Sequence, residues 1–292
     1  MTGELRPFDP VSDAVHVAEL WRTSLEPTWP LLPAAIASQR QGLISMAGDE
    51  VTGFIGFDLA GSIPLILVPP AWQRRGVGGA LMTAALQALR AAGVGAVSAA
   101  SGGEFNIWPG VPRDLPAAVS FFGSQGWRYT EDTLDLVADL DGYEAPRDLT
   151  RVAPVTLSVV PGPERQHVLD FEEANFPSWT RWFRDERQDV LLARAGDGRI
   201  AGTLLFAGPG ADSVFAPMLG PALGIIGCVG VAREWQDRAS GTAMVVRASE
   251  LLRDAGTRLC HIGWTVRESF YVRAGYRPWR RYDMFRLDPG RP

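Results

Sequence analysis

The sequence predicts an α/β protein built from two repeated domains, each a mixed sheet flanked by helices. Three observations predict it. Strand-like apolar runs alternate with helical stretches along the whole chain. The same order of segments occurs twice. The 292 residues, 46% hydrophobic and 21% charged, exceed the commonest single-domain size and leave each half enough apolar material for its own core.

The first copy opens with a short strand, Leu5 to Phe8, and a helical region, Val11 to Thr23, for which Asp9 or Ser12 is a suitable N-cap. A Gly-containing strand, Val51 to Phe57, precedes a buried apolar strand, Ile63 to Val68. Then come Trp72-Gln-Arg-Arg-Gly-Val-Gly-Gly-Ala-Leu81, an Ala/Leu-rich helix to about Ala92, and a strand from Val94. A short helix around Ala117 to Gln125 and the pair Gly126-Trp127 close the series. The second copy repeats it. A strand from Leu157 to Val160 and a helix from Glu164 to Ala174 lead to Ile200 to Phe206, then Ile225 to Val231. Trp235-Gln-Asp-Arg-Ala-Ser-Gly-Thr-Ala-Met244, a helix to about Asp254, a strand near Leu259 and Gly275-Tyr276 follow.

Offsets between equivalent positions support the duplication. Gly202 lies 149 residues after Gly53, Trp235 lies 163 after Trp72, and Gly275 returns to 149 after Gly126. The second copy therefore has 14 extra residues before its central strand, and the first has 14 extra between its long and short helices. Prolines and glycines among charges from Asp141 to Pro154 mark the boundary. The domains predicted are residues 1–143 and 152–292.

The net charge is −5, with no Lys/Arg run of the kind that binds nucleic acid or a membrane surface. Cys228 and Cys260 are too few for a disulfide framework and lack metal-ligand spacing, so no metal is expected. The N-terminus lacks the pattern of a signal peptide, and the longest apolar run, Ile63 to Pro70, is too short to span a bilayer. A cytoplasmic protein with two buried thiols is expected.

The segment that carries chemistry runs from Leu65 to Leu81. The apolar strand stops at Pro69-Pro70, which cannot extend a hydrogen-bonded ladder. The next turn holds Arg74, Arg75, Gly76, Gly78 and Gly79 and feeds a strong helix former. Such a turn presents bare N–H groups at the positive end of a helix dipole, where glycines let backbone approach an anion closely. It is a cradle for a pyrophosphate. A dinucleotide fingerprint would need a further glycine and an acidic ribose partner, and a Walker loop would need Gly-Lys-Ser/Thr; neither is present.

Val68 to Leu81 resembles the acetyl-coenzyme A motif of the GNAT superfamily of N-acetyltransferases, Gln/Arg-x-x-Gly-x-Gly/Ala, filled by Gln73, Gly76 and Gly78. The resemblance covers nearly the whole chain as two tandem copies, and implies in each a mixed, mostly antiparallel central sheet. It implies acetyl-coenzyme A as co-substrate. Ile66, Leu67 and Val68 would pair with its pantetheine arm, and Gln73, Arg74, Arg75, Gly76, Val77, Gly78 and Gly79 would hold its pyrophosphate.

The copies depart from the family pattern in opposite ways. Relatives often carry a tyrosine four residues before the Gly-aromatic pair, whose hydroxyl protonates the departing thiolate. The second copy has Tyr271 there; the first has Phe122, which donates nothing. The second copy's loop is the degenerate one, with Ala239 for the first glycine and Asp237 for Arg74. Sliding the frame to Arg238, Gly241 and Ala243 restores a formal motif but spoils the match at Trp235, so the Trp-anchored frame is preferred. Both copies lack the asparagine many relatives carry, having Leu115 and Trp264.

For the general base, the first copy offers Asp58, Glu104 and Asp114, each also readable as a surface charge, and the second offers His261 and Glu268. A lone His on an apolar strand also reads as a hydrogen-bonded core residue. The first copy's extra loop, Ser101 to Asp114, would bring Phe105 and Trp108 to the substrate or bury them as packing, and the aromatic segment Phe176 to Phe183 poses the same pair of readings. The expectation is an acetyltransferase acting on a small-molecule amine, as monomer or homodimer, with secondary-metabolite (antibiotic) biosynthesis suggested by resemblance. A non-catalytic acyl-coenzyme A sensor, or one live domain beside a structural one, are the alternatives.

Overall fold

The computed structural model describes residues 3–102, 107–146, 155–160, 165–210 and 213–288. The chain forms two compact units, one of Met1–Leu134 with Arg280–Pro292, the other of Asp135–Trp279. Residues 147–154 of the expected linker lie outside the described residues.

In the first unit, β1 (Glu4–Pro7) leads to α1 (Ala14–Leu25), α2 (Pro33–Ala37), β2 (Gly42–Ala47), β3 (Glu50–Asp58) and β4 (Ser62–Leu67). A 3₁₀ turn at Pro70–Trp72 enters α3 (Val77–Ala91). Then β5 (Val97–Ala99), β6 (Val111–Pro112), α4 (Pro116–Ser124) and β7 (Arg128–Asp139) follow. The pairs β1/β2, β2/β3 and β3/β4 are antiparallel, and β4/β5 is parallel. Helix α3 buries Val77, Leu81, Met82, Ala85 and Leu89, a stripe at helical spacing that packs on β3.

Helix α1 starts otherwise than expected. Neither Asp9 nor Ser12 caps it: Asp13 is the N-cap, and its side chain turns away to a bidentate pair with Arg6 at 2.7 Å. Asp9 instead accepts the amides of Val11 and Ser12 at 2.9 Å, closing the turn before the helix.

The second unit repeats the plan. It holds β8 (Val155–Val159), α5 (Arg165–Asn175), α6 (Thr180–Phe183), β9 (Asp189–Ala195), β10 (Ile200–Ala207), α7 (Ala216–Leu219) and β11 (Leu223–Val231). A 3₁₀ turn at Arg233–Trp235 enters α8 (Ser240–Asp254), followed by β12 (Leu259–Thr265), α9 (Glu268–Val272) and β13 (Arg277–Leu287). The pairs β8/β9, β9/β10 and β10/β11 are antiparallel, and β11/β12 is parallel.

Two strands are divided between the units. In the first unit the sheet runs β1-β2-β3-β4-β5, then residues 280–287 of β13, then residues 128–134 of β7. In the second it runs from residues 135–139 of β7 through β12-β11-β10-β9 to β8. The last strand of the chain therefore completes the first unit's sheet. No described helix is long and apolar enough to cross a membrane.

Candidate functional site

In the first unit, β4 and β5 pair only at Ser62↔Ser98 and Ile63↔Ala99, after which the strands part. On its other side β4 continues against β3 as far as Phe54↔Leu67. Residues 64 to 67 of β4 thus keep an open backbone edge facing the gap, and Ile66 and Val68 are only half-buried. An extended ligand arm can add to such an edge as a strand does.

The loop beyond is held by its own side chains. The Gln73 amide donates to the Val68 carbonyl at 2.9 Å, the Trp72 indole donates to Glu50 at 2.8 Å, and the Arg75 guanidinium sits 5.1 Å from the Trp72 ring centre. Gly76 is the N-cap of α3 at φ 86°, a left-handed conformation that suits glycine. No side chain caps the helix. The amides of residues 74 to 79 donate to no described residue, and the first closing bond is from Ala80 N–H to the Gly76 carbonyl at 3.0 Å. A Cβ at Gly79 would meet nothing within 4 Å. Bare donors, room in front of them and two exposed arginines fit a diphosphate.

The second unit has the same loop with different chemistry. Gln236 donates to the Val231 carbonyl at 3.1 Å, and Arg238 lies 4.9 Å from the Trp235 ring centre. Asp237 and Ala239 adopt φ 61° and 60°, matching Arg74 at 60° and Gly76 at 86°. Gly78 lies against Phe121 and Gly241 against Phe270, each at 3.2 Å from the built Cβ. These equivalences fix the Trp-anchored frame. The helix tips differ in access: Gly78, Gly79 and Ala80 are half-buried, whereas their equivalents Gly241, Thr242 and Ala243 are buried.

The strands β11 and β12 pair from Leu223↔Leu259 to Ile226↔Ile262 and then part. Here β11 bulges against β10, with the register slipping between Thr203↔Gly230 and Leu205↔Gly227. Cys228 stands in the bulge at φ 49°. Burial pushes its thiol up to about 12, with the neighbouring Glu172 charge adding to the effect. Tyr271, on α9, is 8% exposed, and its hydroxyl makes no hydrogen bond among the described residues. Burial raises it to about 12, so it stays protonated at neutral pH. In the first unit Phe122 occupies the matching place, edge-on to Trp127 and stacked near Phe285.

His261 is buried on β12, with Nε2 3.3 Å from Asp135 Oδ2 and its ring edge-on to Phe215 and Trp279. Asp135 Oδ1 also accepts the Trp264 amide at 2.8 Å. That placement is a histidine packed between rings on a strand beside β7. Trp108 is 4% exposed, stacked on Trp21 and edge-on to Trp29, so its ring is part of the first unit's core. Phe105 and Glu104 lie outside the described residues. Asp58 accepts the Ala60 amide in a turn, and Asp114 accepts from the Trp29 indole and pairs with Arg280. The segment Phe176 to Phe183 splits its roles: Phe183 is buried in the core with Val168 and Leu205, while Phe176 stacks on Trp179 at 5.1 Å. Among the described residues no group of three His, Cys, Asp or Glu could hold a metal ion.

Glu172 of α5 is a further residue at this site. It is fully buried, accepts a short hydrogen bond from the Thr203 hydroxyl at Oε1, and leaves Oε2 without a partner among the described residues. Burial lifts its carboxyl to about 7. The signal was the spacing Val168, Glu172, Phe176, which puts the glutamate on the helix's inward face.

A family model described as "Acetyltransferase (GNAT) domain" matches residues 19–103. No curated protein matches the sequence. Among solved structures, the chain is 25% identical to the GCN5-related glucosamine N-acetyltransferase region of a fungal multi-domain GH3 β-N-acetylglucosaminidase, at TM-score 0.90. That alignment covers 97% of this chain and 38% of the fungal one, so this chain spans well under half of its length. A GCN5-related N-acetyltransferase from Sphaerobacter thermophilus is 20% identical at TM-score 0.74, with 99% of this chain and 96% of that one aligned. A tandem GNAT protein from the clavulanic acid biosynthesis pathway is 17% identical at TM-score 0.67, with 99% of each chain aligned.

Proposed function

We propose that this chain, whose residues 19–103 match a GNAT acetyltransferase domain, transfers an acetyl group from acetyl-coenzyme A to a small-molecule primary amine, with an amino sugar as the acceptor class. The likeness to the fungal glucosamine N-acetyltransferase region supports the acceptor class. The observation that carries the reading is the row of unpartnered amides from residue 74 to 79 at the tip of α3.

In this reading Ile66, Leu67 and Val68 present the edge for the pantetheine arm, and Gln73 to Gly79 grip the diphosphate with backbone N–H groups, helping charge from Arg74 and Arg75. The first unit binds acetyl-coenzyme A tightly but lacks an acid at Phe122. The second unit carries the transfer chemistry. Its β11 edge seats the pantetheine arm, its degenerate loop grips the diphosphate more weakly, and Tyr271 donates its proton to the sulfur as the C–S bond breaks. The thiol Cys228, held at about 12 by burial, is not a thiolate at neutral pH, so acetyl passes directly to the amine without a cysteine ester.

The reading is tested by mixing the protein with acetyl-coenzyme A and glucosamine and following free thiol. Amine-dependent release is expected, and Tyr271→Phe lowers turnover roughly 100-fold while acetyl-coenzyme A affinity stays put. Release no faster than background hydrolysis, across glucosamine and other primary amines, sinks the transfer reading and leaves a binding protein. An unchanged Tyr271→Phe rate removes that residue from the mechanism.

A further inference from the structure

The second unit holds a buried carboxyl with no counter-charge at the point where its central strands part. Glu172 is 0% exposed. Its Oε1 is fixed by Thr203, and its Oε2 lacks any partner among the described residues. Thr203 is the β10 residue paired with Gly230, at the bulge. Just past the end of α5, four residues on from Glu172, Phe176 covers Gly230 so closely that a Cβ there would stand 2.6 Å from the ring. Helix α5 therefore lies over the bulge where β11 leaves β12.

Alternation along β10 places the other helices on the opposite face. Gly202, next to Thr203, would direct a Cβ at Met244 of α8, at 3.1 Å. Phe270 of α9 rests against Gly241 of α8. Tyr271, beside Phe270, lies near Tyr276, whose hydroxyl meets Ser249 of α8, and so belongs to the face opposite Glu172; Cys228 in the bulge neighbours both. An acid on one face and a carboxyl on the other flank the same bulge. In the first unit α1 buries only Val17, Leu20 and Trp21, and no carboxyl takes the corresponding place.

A carboxyl stripped of water in this way is costly to ionise unless a cation joins it. The groups facing it supply none. The Thr203 hydroxyl comes from β10 and the neutral Cys228 thiol from β11; Arg181 of α6 acts on that thiol, and no described cation pairs with Glu172. The missing partner has the chemistry of an ammonium ion. We propose that Glu172 receives the ammonium group of the acceptor in the second unit and is the general base that takes its proton, on the face of the sheet opposite Tyr271.

The proposal rests on the transfer reading above. Glu172 carboxylate takes one proton from R–NH₃⁺, and the freed lone pair forms the C–N bond at the acetyl carbonyl carbon. The C–S bond breaks with its electron pair on sulfur, and Tyr271 gives that sulfur its hydroxyl proton. The second proton shed by nitrogen restores the phenol, and Glu172 releases its own to water. The sum is amide, free thiol and one proton. A base whose carboxyl lies near 7 is matched to this work at neutral pH.

Two measurements on the full chain test it. In the first, kcat/KM for glucosamine is followed against pH for the wild type, Glu172→Gln, Glu172→Asp and Thr203→Val. The wild type should rise through a limb near neutral pH. Glu172→Gln should lose about 100-fold and the limb with it, while acetyl-coenzyme A binding persists. Glu172→Asp should keep part of the rate, and Thr203→Val should shift the limb. In the second, carbon-13 NMR of labelled glutamate carboxyls in the ligand-free protein should show one that titrates near neutral pH and is missing from Glu172→Gln. A Glu172→Gln enzyme with the wild-type rate and profile overturns the proposal, as does the absence of any glutamate titrating above the ordinary range. A wild type inactive with every amine overturns the transfer reading itself, a failure distinct from an active wild type indifferent to Glu172→Gln.

Discussion

Replacing Gly79 by aspartate should move stability and cofactor affinity in opposite directions. Gly79 is the third residue of α3, and a Cβ there enters open space. Aspartate is a slightly better helix residue than glycine, and a negative charge in the first turn complements the helix dipole; together these are worth about 0.5–1 kcal/mol of added stability. The same carboxylate stands where the diphosphate would lie. At about 5 Å and an effective dielectric near 20, repulsion is roughly 3 kcal/mol per phosphate charge, which corresponds to a Kd weakened by about 100-fold or more. Thermal unfolding should show a raised midpoint, and calorimetry with acetyl-coenzyme A should show the tight site gone. S-acetylpantetheine, which lacks the diphosphate, should bind the variant and the wild type alike. A stabilised variant whose acetyl-coenzyme A affinity stays within about threefold of wild type would refute the cradle, because misfolding could not be blamed.

Three further substitutions test the second unit. Glu172→Gln should flatten the pH dependence of stability. Its folded-state pKa of about 7 lies above the ordinary 4.5, so the folded state is favoured below about pH 4.5 and loses roughly 3 kcal/mol as pH rises to 7; urea unfolding at pH 5 and 8 should show the variant gaining on the wild type only at the higher pH, and parallel curves would contradict the burial of an unpaired carboxyl. Asp135→Ala removes the acceptor of the buried-side Trp264 amide and the carboxylate beside His261, for a loss of about 1–3 kcal/mol in urea; no loss would mean that the contact is replaced by water. Ala239→Gly relieves a left-handed alanine at φ 60°. That strain of about 1–2 kcal/mol, less the entropy glycine adds to the unfolded chain, leaves a net gain near 0.5–1 kcal/mol in thermal unfolding, and a destabilised variant would count against it.

Most of the fold was legible because its signals are local. The expected helix to Ala92 is α3, ending at Ala91, and the strand Ile225 to Val231 is the body of β11. The offset of 163 between Trp72 and Trp235 reappears between the helix starts, Val77 and Ser240. The division of β7 and β13 between units was not legible, because alternation along a strand names the faces it buries and not the neighbours it pairs with. Capping of α1 was misjudged for a related reason. Asp13 suits an N-cap by residue type, but Arg6, seven residues away, claims its carboxylate. The spacing of Val168, Glu172 and Phe176 places Glu172 on the inward face of α5, but its pairing with Thr203 and its unpartnered oxygen come from the placement of α5 over β10, which spacing does not give.

The two loops together separate what the fold requires from what the ligand requires. Asp237 and Ala239 hold the left-handed geometry that Arg74 and Gly76 hold, although alanine is strained there. Gln236 and Arg238 keep the hydrogen bond and the ring contact of Gln73 and Arg75. The turn is therefore a structural necessity for any chain that must pass from a parting strand into this helix, and its shape alone is poor evidence for a bound diphosphate. The discriminating features are charge and access. Asp237 replaces a cation by an anion, and Gly241 to Ala243 are buried where Gly78 to Ala80 remain reachable. Tyr271 and Phe122 show the converse on the short helices, one position keeping a donor and the other only a ring. Each copy has retained the scaffold and given up a different part of the chemistry, so function has to be assigned residue by residue within each copy.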